Sequence, residues 1–414
     1  MKKHKSDLVV VGAGAAGLFA SIHATELGLK VLTLEKNEYA GKKLFITGKG
    51  RCNVTNDSDI GNFINQIYPN GKFLYPAFKN FFVDEVISFF EKQNVPLELE
   101  RGGRYFPKSN KSSDIVNALV NRCKSLKINI LYNSKVINIL SENNEIFGLE
   151  YESNNTKFQV ETKKIILCTG GKSYPLTGST GDGYNFAQKL GHTIIDPKPS
   201  LVSLICKDNF FENIDNLTLK NIKANLMIDN KICKCEFGEL EIQGKILLGP
   251  VILTLSRWAV EALEKKQKVD IVIDFKPALD YEQLNKRLIK DFNENSKTKF
   301  ENLLKLIIPI KLIPVFIKVL EIDKNKLANQ LNSNERKKII QQLKEFKISI
   351  FENSGFANAI ITNGGINTKE INPQTMESKI IKGLFFAGEI IDLDAKTGGY
   401  NLQIAFSTGW LAAM

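Results

Sequence analysis

The run Gly12-Ala13-Gly14-Ala15-Ala16-Gly17, set directly after the apolar stretch Asp7 to Val11, constrains this chain more than any other feature. Asp7 to Val11 predicts a buried parallel strand, Ala15 to Leu27 a helix, and Lys30 to Glu35 a second strand, so the chain opens with a βαβ unit. Within it Gly12 allows the tight turn, Gly14 lets backbone approach a pyrophosphate, and Gly17 lets the helix pack closely on the strand. The helix start at Ala15 and Ala16 supplies N–H groups and the positive end of the helix dipole. Glu35, ending the second strand, can accept both hydroxyl hydrogens of an adenosine ribose. A carboxylate there disfavours a 2′-phosphate, so FAD or NAD is expected ahead of NADP, with Lys36 completing the ADP-binding set.

The 414 residues, 43% hydrophobic and 24% charged, exclude disorder, collagen and a disulfide-stapled mini-protein. The length predicts two or three domains. Six cysteines (Cys52, Cys123, Cys168, Cys206, Cys233, Cys235) and three histidines form no CxxC and no zinc-type spacing. No metal is expected, and the thiols predict a reducing, cytoplasmic setting. The net charge of +11 suits nucleic acid, anionic lipid or a phosphorylated cofactor alike. Without an Arg-rich tract or an RNP-like aromatic motif, specific nucleic-acid binding is not the expectation. Met1 to Lys5 followed by Leu8 to Ile22 imitates a signal peptide, but Asp7 and the three glycines fit the βαβ unit instead. Leu303 to Leu320 is interrupted by Lys305, Pro309, Lys311, Pro314 and Lys318. It predicts short helices starting near Pro309 or Pro314 and covering an active-site mouth, not a membrane span.

Further along, Gly41 to Asn56 predicts a long functional loop. Ser113 to Ser125 predicts a helix, Asn129 to Leu140 a strand, Asn143-Asn144 a hairpin turn, Lys164 to Cys168 a buried strand, and Thr169 to Gly183 a second glycine-rich loop. Short alternating runs (Ser203 to Lys207, Ala224 to Ile228, Val269 to Phe275) then give way to helical periodicity from Tyr281 to Phe346. The end returns to a strand at Gly383 to Ala387, a loop through Gly399, and a helix from Asn401. The expected fold class is therefore α/β, a Rossmann-like domain built from residues 1–190 and 349–414. A domain of small barrel or sheet followed by helices is inserted at 191–348.

The loop Gly41-Lys42-Lys43 through Thr47-Gly48-Lys49-Gly50-Arg51-Cys52-Asn53-Val54-Thr55-Asn56 combines backbone freedom with cationic donors Lys43 and Arg51 and neutral donors Asn53, Thr55 and Asn56. Here the chain resembles the YhiN/BaiN-like flavoproteins, also called the aminoacetone oxidase family. Their hallmark is a G-R-K…S-G-x-G-R-C-N-x-T-N stretch, from which Lys42 and Thr47 are mild departures. The resemblance continues through Gly102 to Ser109, Thr169 to Pro175, Gly178 to Gly183, Gly364-Gly365, Met376 to Ser378, Phe386 to Glu389 with Asp392, and Thr397 to Gln403. It thus covers nearly the whole chain.

What the resemblance implies is a two-dinucleotide-type FAD domain with an inserted barrel and helices. Val136 would meet the adenine through its backbone, and Thr169 and Gly170 would return over the pyrophosphate. Gly388, Glu389 and Asp392 would lie near the ribityl chain and phosphates. Gly48, Gly50, Arg51, Cys52 and Asn53 would surround the flavin with Lys43, and Gly399, Asn401 and Leu402 would aim N–H groups at its pyrimidine ring. Family members often carry Phe-Thr-His-x-Gly in the inserted domain, where this chain has Ile242 and Gln243 before Gly244. The imidazole chemistry of those members is therefore not carried over.

The expected function is an FAD-dependent oxidoreductase, with hydride transfer through flavin N5 and NAD(P)H as a transient donor to a small organic substrate. No second GxGxxG indicates a dedicated nicotinamide domain. An oxygen-using amine oxidase, a flavin-dependent RNA-modifying enzyme and a non-catalytic dinucleotide-binding regulator are the alternatives. No catalytic acid or base emerges; Arg51, Arg104 and Tyr400 are candidates near a substrate. Cys52 reads as a packed thiol more than a redox one, Cys233 and Cys235 lack the further ligands a metal needs, and the oligomeric state is open.

Overall fold

The computed structural model describes residues 2–414. Two compact units emerge: the chain up to Ser200 together with Phe356–Met414, and Leu201–Gly355. After a short strand Lys2–Lys5, the first runs through β1 (Leu8–Val11), α1 (Ala15–Glu26) and β2 (Val31–Leu34). Every residue of β1 and β2 is buried, as a parallel sheet covered on both faces requires. Helix α2 (Ser112–Ser125) buries Ile115, Val116, Leu119 and Cys123 on one face, and its last turn carries Arg122 and Lys124. The single strand expected from Asn129 to Leu140 is two. After β3 (Asn129–Leu131) the backbone turns at Asn133, whose φ of 50° ends the extended run. The chain then enters a separate sheet through Ser134–Glu142, Glu145–Ser153 and Thr156–Glu161. The turn between the first two falls at Asn143-Asn144, both left-handed. β4 (Ile165–Leu167) follows, fully buried.

The second unit is a closed six-stranded barrel carrying helices. Its strands are β5 (Leu204–Cys206), β6 (Leu217–Ile228), β7 (Lys231–Gln243), β8 (Ile246–Leu248), then after α3 (Pro250–Glu264) β9 (Val269–Asp274) and β10 (Phe346–Asn353). Around the barrel their order is β5-β8-β7-β6-β9-β10. Alternate side chains of β6, among them Ile222, Ala224 and Leu226, enter a core shared with Leu255, Ile271 and Ile348. Between β9 and β10 lie helices Tyr281–Glu294, Phe300–Leu304, Ile313–Leu320 and Ser333–Lys344. Pro314 stands in the first turn of the third, where its missing N–H costs no helical bond. No helix among the described residues is long and apolar enough to cross a membrane.

On its return the chain adds β11 (Leu384–Phe386) and α4 (Tyr400–Ala412) to the first unit. The main sheet then reads β11-β4-β1-β2-β3, with all four pairings parallel. The division of the chain falls at 200/201 and 355/356, not at 190/191 and 348/349. The cause is pairing: Ile194–Ser200 runs antiparallel to Ile361–Ile366, which ties ten residues past the expected boundary to the first unit. Likewise β10 completes the barrel as far as Asn353, keeping that stretch with the second.

Candidate functional site

Helix α1 starts without a side-chain cap and without an acidic residue in its first turn. Its N–H groups at Ala15, Ala16 and Gly17 precede the first intrahelical bond, which Leu18 donates to the Gly14 carbonyl at 3.0 Å. A Cβ on Gly14 would meet nothing within 4 Å, so open space lies against that turn. The other two glycines are where they are for contact. A Cβ on Gly12, whose φ is +100°, would stand 2.6 Å from the Cys168 carbonyl oxygen, and one on Gly17 would stand 1.8 Å from that of Gly12. An uncapped helix N-terminus beside free space suits a phosphate group.

Glu35 is buried and aimed back at this turn: Oε2 accepts from the Ala13 N–H at 2.8 Å, and Oε1 accepts from the backbone and side chain of Asn37 at 2.8 and 2.7 Å. The Ser134 N–H donates to the Glu35 carbonyl at 2.9 Å, bringing buried Val136 to the same wall. Lys36 closes it from the other side, donating to Thr180 at 2.6 Å and Asp182 at 2.8 Å. In the loop after β4, Gly170 is left-handed and the Thr169 hydroxyl is buried with no hydrogen-bond partner among the described residues. An orphaned hydroxyl next to the α1 turn is what a bound diphosphate would satisfy.

The loop expected from Gly41 to Asn56 contains a short helical turn, Leu44–Gly50, broken where Gly48, Lys49 and Gly50 turn left-handed. Lys43 donates to Ser173 and to Glu389 Oε2, both at 2.6 Å. Glu389 Oε1 accepts from Ser173 at 2.5 Å and from the Thr362 N–H at 3.0 Å. Four sequence-distant segments thus meet at one carboxylate. Arg51 is committed elsewhere: it pairs with Glu100, donates to Asn110 at 2.6 Å, and lies 4.1 Å above the Phe106 ring. Arg104 donates to the Arg101 carbonyl at 3.0 Å. Cys52 is fully buried, and burial pushes its thiol up to about 12, which removes the thiolate a redox centre needs.

A third loop joins the second at the start of α4. With its amide oriented to satisfy both ends, Asn53 accepts from the Gly399 N–H at 3.1 Å and donates to the Thr55 and Tyr105 carbonyls at 3.2 and 3.3 Å. Thr55 donates to Gln403 at 2.6 Å, and Asn56 donates to the Gly398 carbonyl at 3.0 Å. Asn401 turns its amide onto Ala395, accepting from the N–H and donating to the carbonyl at 2.9 Å each, so its side chain fixes the loop. The N–H groups of Tyr400, Asn401 and Leu402 are left with no intrahelical carbonyl to meet, and the turn holds no acidic residue. Leu402 packs against the apolar cluster that includes Leu44 and Cys52, and Tyr400 sits edge-on to Phe63 at 4.6 Å. Gly388, at φ +77°, donates to Thr408 at 2.9 Å, and buried Asp392 donates its N–H to the Ile366 carbonyl at 3.0 Å.

The two helix starts are held at a set spacing. Gly409 of α4 lies on α1 so closely that a Cβ there would stand 2.3 Å from the Ala16 carbonyl oxygen. The first turn of α4 begins nine residues earlier, about 14 Å along the helix at 1.5 Å per residue. One uncapped N-terminus is therefore available for a diphosphate and a second for an electron-rich ring. The residues fit FAD on these observations. Missing from the sequence-based set are Ser173, Thr362 and Asn37. Ser173 stands in a quoted motif, and Thr362 lies two residues before the quoted Gly364-Gly365, a pair that by itself does not single out the threonine. The substituted pair in the inserted unit lies at the end of β7, with Ile242 in the barrel core and Gln243 exposed.

The sequence profile of the HI0933-like protein Rossmann domain matches residues 6–414. Over 405 residues the chain is 29% identical to the 3-dehydro-bile acid delta(4,6)-reductase of Clostridium scindens, covering 97% of each chain. It is 27% identical over 409 residues to the ribosomal RNA dihydrouridine synthase of Escherichia coli, covering 98% of this chain and 97% of that one. Among solved structures, the 3-ketosteroid-delta4-(5alpha)-dehydrogenase of Rhodococcus jostii RHA1, in complex with 4-androstene-3,17-dione, superimposes with a TM-score of 0.51 at 13% identity. That match covers 100% of this chain and 96% of that one, and it shows a shared fold. The chain belongs to the HI0933-like family of Rossmann-fold flavoproteins and is an FAD-dependent oxidoreductase.

Proposed function

We propose that this oxidoreductase adds hydrogen across a carbon–carbon double bond conjugated to a carbonyl, with NADH or NADPH as the electron source. The observation that carries the reading is the uncapped, acid-free first turn of α4, joined through Asn53 and Thr55 to the Gly48–Asn53 loop. Its N–H groups favour negative charge on a ring held against them, and therefore the reduced form of that ring. Two relatives that match the chain almost end to end support the reaction type. One is named for reducing a delta(4,6) bile acid and the other for making dihydrouridine, and both names describe saturation of a carbon–carbon double bond.

Bound FAD supplies hydride transfer through its N5. The N–H groups at the start of α1 would hold the diphosphate, with the Thr169 hydroxyl as a further donor. Glu35, preset by Ala13 and Asn37, would take the ribose hydroxyls. Lys43, Ser173 and Glu389 would hold the surrounding loops together. The free thiols of all six cysteines support a cytoplasmic setting.

The test is an anaerobic spectrum of the FAD-loaded protein while NADH and then NADPH are added, followed by a conjugated enone steroid. Bleaching by one nucleotide and recovery with one equivalent of product two hydrogens heavier is the expected result. Flavin that neither nucleotide reduces, or that recovers only with oxygen, overturns it and favours an amine oxidase. A second reading, reduction of uracil in ribosomal RNA, is favoured by the net charge of +11 and the dihydrouridine-named relatives. In that case unmodified RNA, not the steroid, restores the spectrum, and binding falls steeply with salt.

A further inference from the structure

From Asn302 to Leu320, in the helical part of the second unit, the chain holds three lysines and no acidic residue. Its inward side chains, among them Leu303, Ile307, Ile308, Leu312 and Phe316, enter the core of that unit. The outward side is of one kind throughout. Every exposed residue from Lys305 to Lys318 is a lysine or apolar: Lys305, Lys311 and Lys318 alternate with Leu306, Pro309, Ile310 and Pro314. Leu306 is 52% exposed and Ile310 70%. Single exposed apolar side chains are ordinary, but these stand together. Leu306, Pro309 and Ile310 fall on the connection between helix Phe300–Leu304 and the 3₁₀ turn Ile310–Leu312. Pro314 and Lys318, four apart in helix Ile313–Leu320, share a face. The nearest acids in the run, Glu301 and Glu321, lie beyond its two ends. At the rim Lys311 donates to the Asp215 and Asn216 carbonyls, which brings one carboxylate, Asp215, beside three ammonium groups. Lys318 stands 6.0 Å over the ring of half-buried Phe210.

We propose that this face docks on an anionic phospholipid bilayer, with Leu306, Pro309, Ile310 and Pro314 entering the boundary between headgroups and acyl chains and Lys305, Lys311 and Lys318 meeting lipid phosphates. The argument for that occupant is charge complementarity around an apolar centre. Apolar side chains set among flexible cations match a surface that is apolar within and anionic at its boundary. Lysine stems are themselves apolar and carry their ammonium groups up to the headgroup level. A second copy of this chain is a poor occupant, because a two-fold contact centred on the face sets lysines against lysines. A single-stranded nucleic acid stacks its bases on exposed rings, and the exposed set from Lys305 to Lys318 holds none. The attachment is to one leaflet. Helix Ile313–Leu320 has 8 residues, about 12 Å at 1.5 Å per residue, against a hydrocarbon core about 30 Å thick.

Co-sedimentation of the FAD-loaded protein with sucrose-filled vesicles tests this, using phosphatidylcholine alone or mixed with phosphatidylglycerol. The mixed vesicles are expected to carry the protein down, the neutral ones to leave most of it in solution, and added salt to release it. Leu306→Ser combined with Ile310→Ser is expected to lower the partition coefficient about tenfold, and so is Lys305→Glu combined with Lys318→Glu. All four side chains are exposed, so flavin absorbance and Tm are expected to stay at wild-type values and to show that each variant is folded. Ile310→Trp locates the contact. Its added emission is expected to move to shorter wavelength on the mixed vesicles and to be quenched by brominated acyl chains. No binding to mixed vesicles, equal binding to neutral ones, binding indifferent to either double variant, or added emission that brominated lipid leaves unquenched overturns the proposal. So does a wild type that self-associates through this face, with the apolar double variant monomeric and its vesicle binding unchanged.

Discussion

At the scale of single residues, the glycines of the first turn separate packing from ligand binding. Gly17→Ala places a methyl group 1.8 Å from the Gly12 carbonyl oxygen and is expected to cost the cofactor-free protein about 1–3 kcal/mol, seen as a lower Tm. Gly14→Ala meets nothing within 4 Å, and φ −84° is open to alanine. Its cofactor-free Tm is expected to match the wild type, while FAD titration shows affinity reduced tenfold or more. Lys43 and Glu389 invite a second comparison. If Lys43 acts by neutralising Glu389, Lys43→Met leaves a mostly buried carboxylate and weakens FAD binding by about 1–2 kcal/mol, and adding Glu389→Gln recovers part of the loss. A double variant no better than Lys43→Met would instead mean that the ammonium acts on the cofactor directly.

Among elements, α4 does the most to shape the site, and it is shaped by side chains outside its N-terminal N–H groups. Asn401 spends its amide on Ala395 and Lys396, making three bonds that hold the segment leading into Gly399. Asn401→Ala is expected to raise the dissociation constant for FAD about tenfold, equal to about 1.4 kcal/mol, with faster hydrogen exchange from Ala395 to Gly399. The flavin spectrum should stay unchanged, since the backbone N–H groups remain. The element boundaries near the site were legible where glycine or asparagine ends a run, as at Gly12 and Asn143. The division at Asn133 was not, because Asn129 to Leu140 keeps its strand-like composition through the turn.

For the molecule as a whole, two imidazoles, buried His192 and half-buried His23, shape how stability responds to acid. Burial pushes His192 below its ordinary value, against the opposing pull of Glu370, and it pushes down His23, stacked 3.6 Å from Trp410. An unfolded chain takes up these protons near pH 6.5 while the folded one resists them. Stability is therefore full above pH 6.5 and declines as pH falls below it toward the folded values. A Tm series at pH 7.5, 6.5 and 5.5 should show that decline, and His192→Gln should make it shallower. Thiol chemistry divides in the same way. Cys52, Cys123, Cys168 and Cys206 are buried with thiols pushed up, so native alkylation counted by mass is expected to modify Cys233 and Cys235 alone.

By itself the sequence determined the βαβ opening and a dinucleotide as the kind of cofactor, both resting on neighbours in the chain: a strand, three glycines, a helix and an acid within Asp7 to Glu35. The fold class came from the order of predicted elements along the whole chain, and the choice of FAD from the family resemblance carried by motifs as far as Gln403. The motifs from Gly48 to Asn53 and from Thr397 to Gln403 were visible as dense runs of glycine and polar residues. The tertiary structure decided which of those side chains face which. Arg51 turns to Glu100 and Asn110, while Lys43 reaches Glu389, 346 residues away. It also decided that Ser173 and Thr362 share that carboxylate, and that Ile194–Ser200 belongs with Ile361–Ile366. Local spacing fixes which backbone shapes a segment can take; the pairing of charges and strands across hundreds of residues is settled only when the buried groups must find partners.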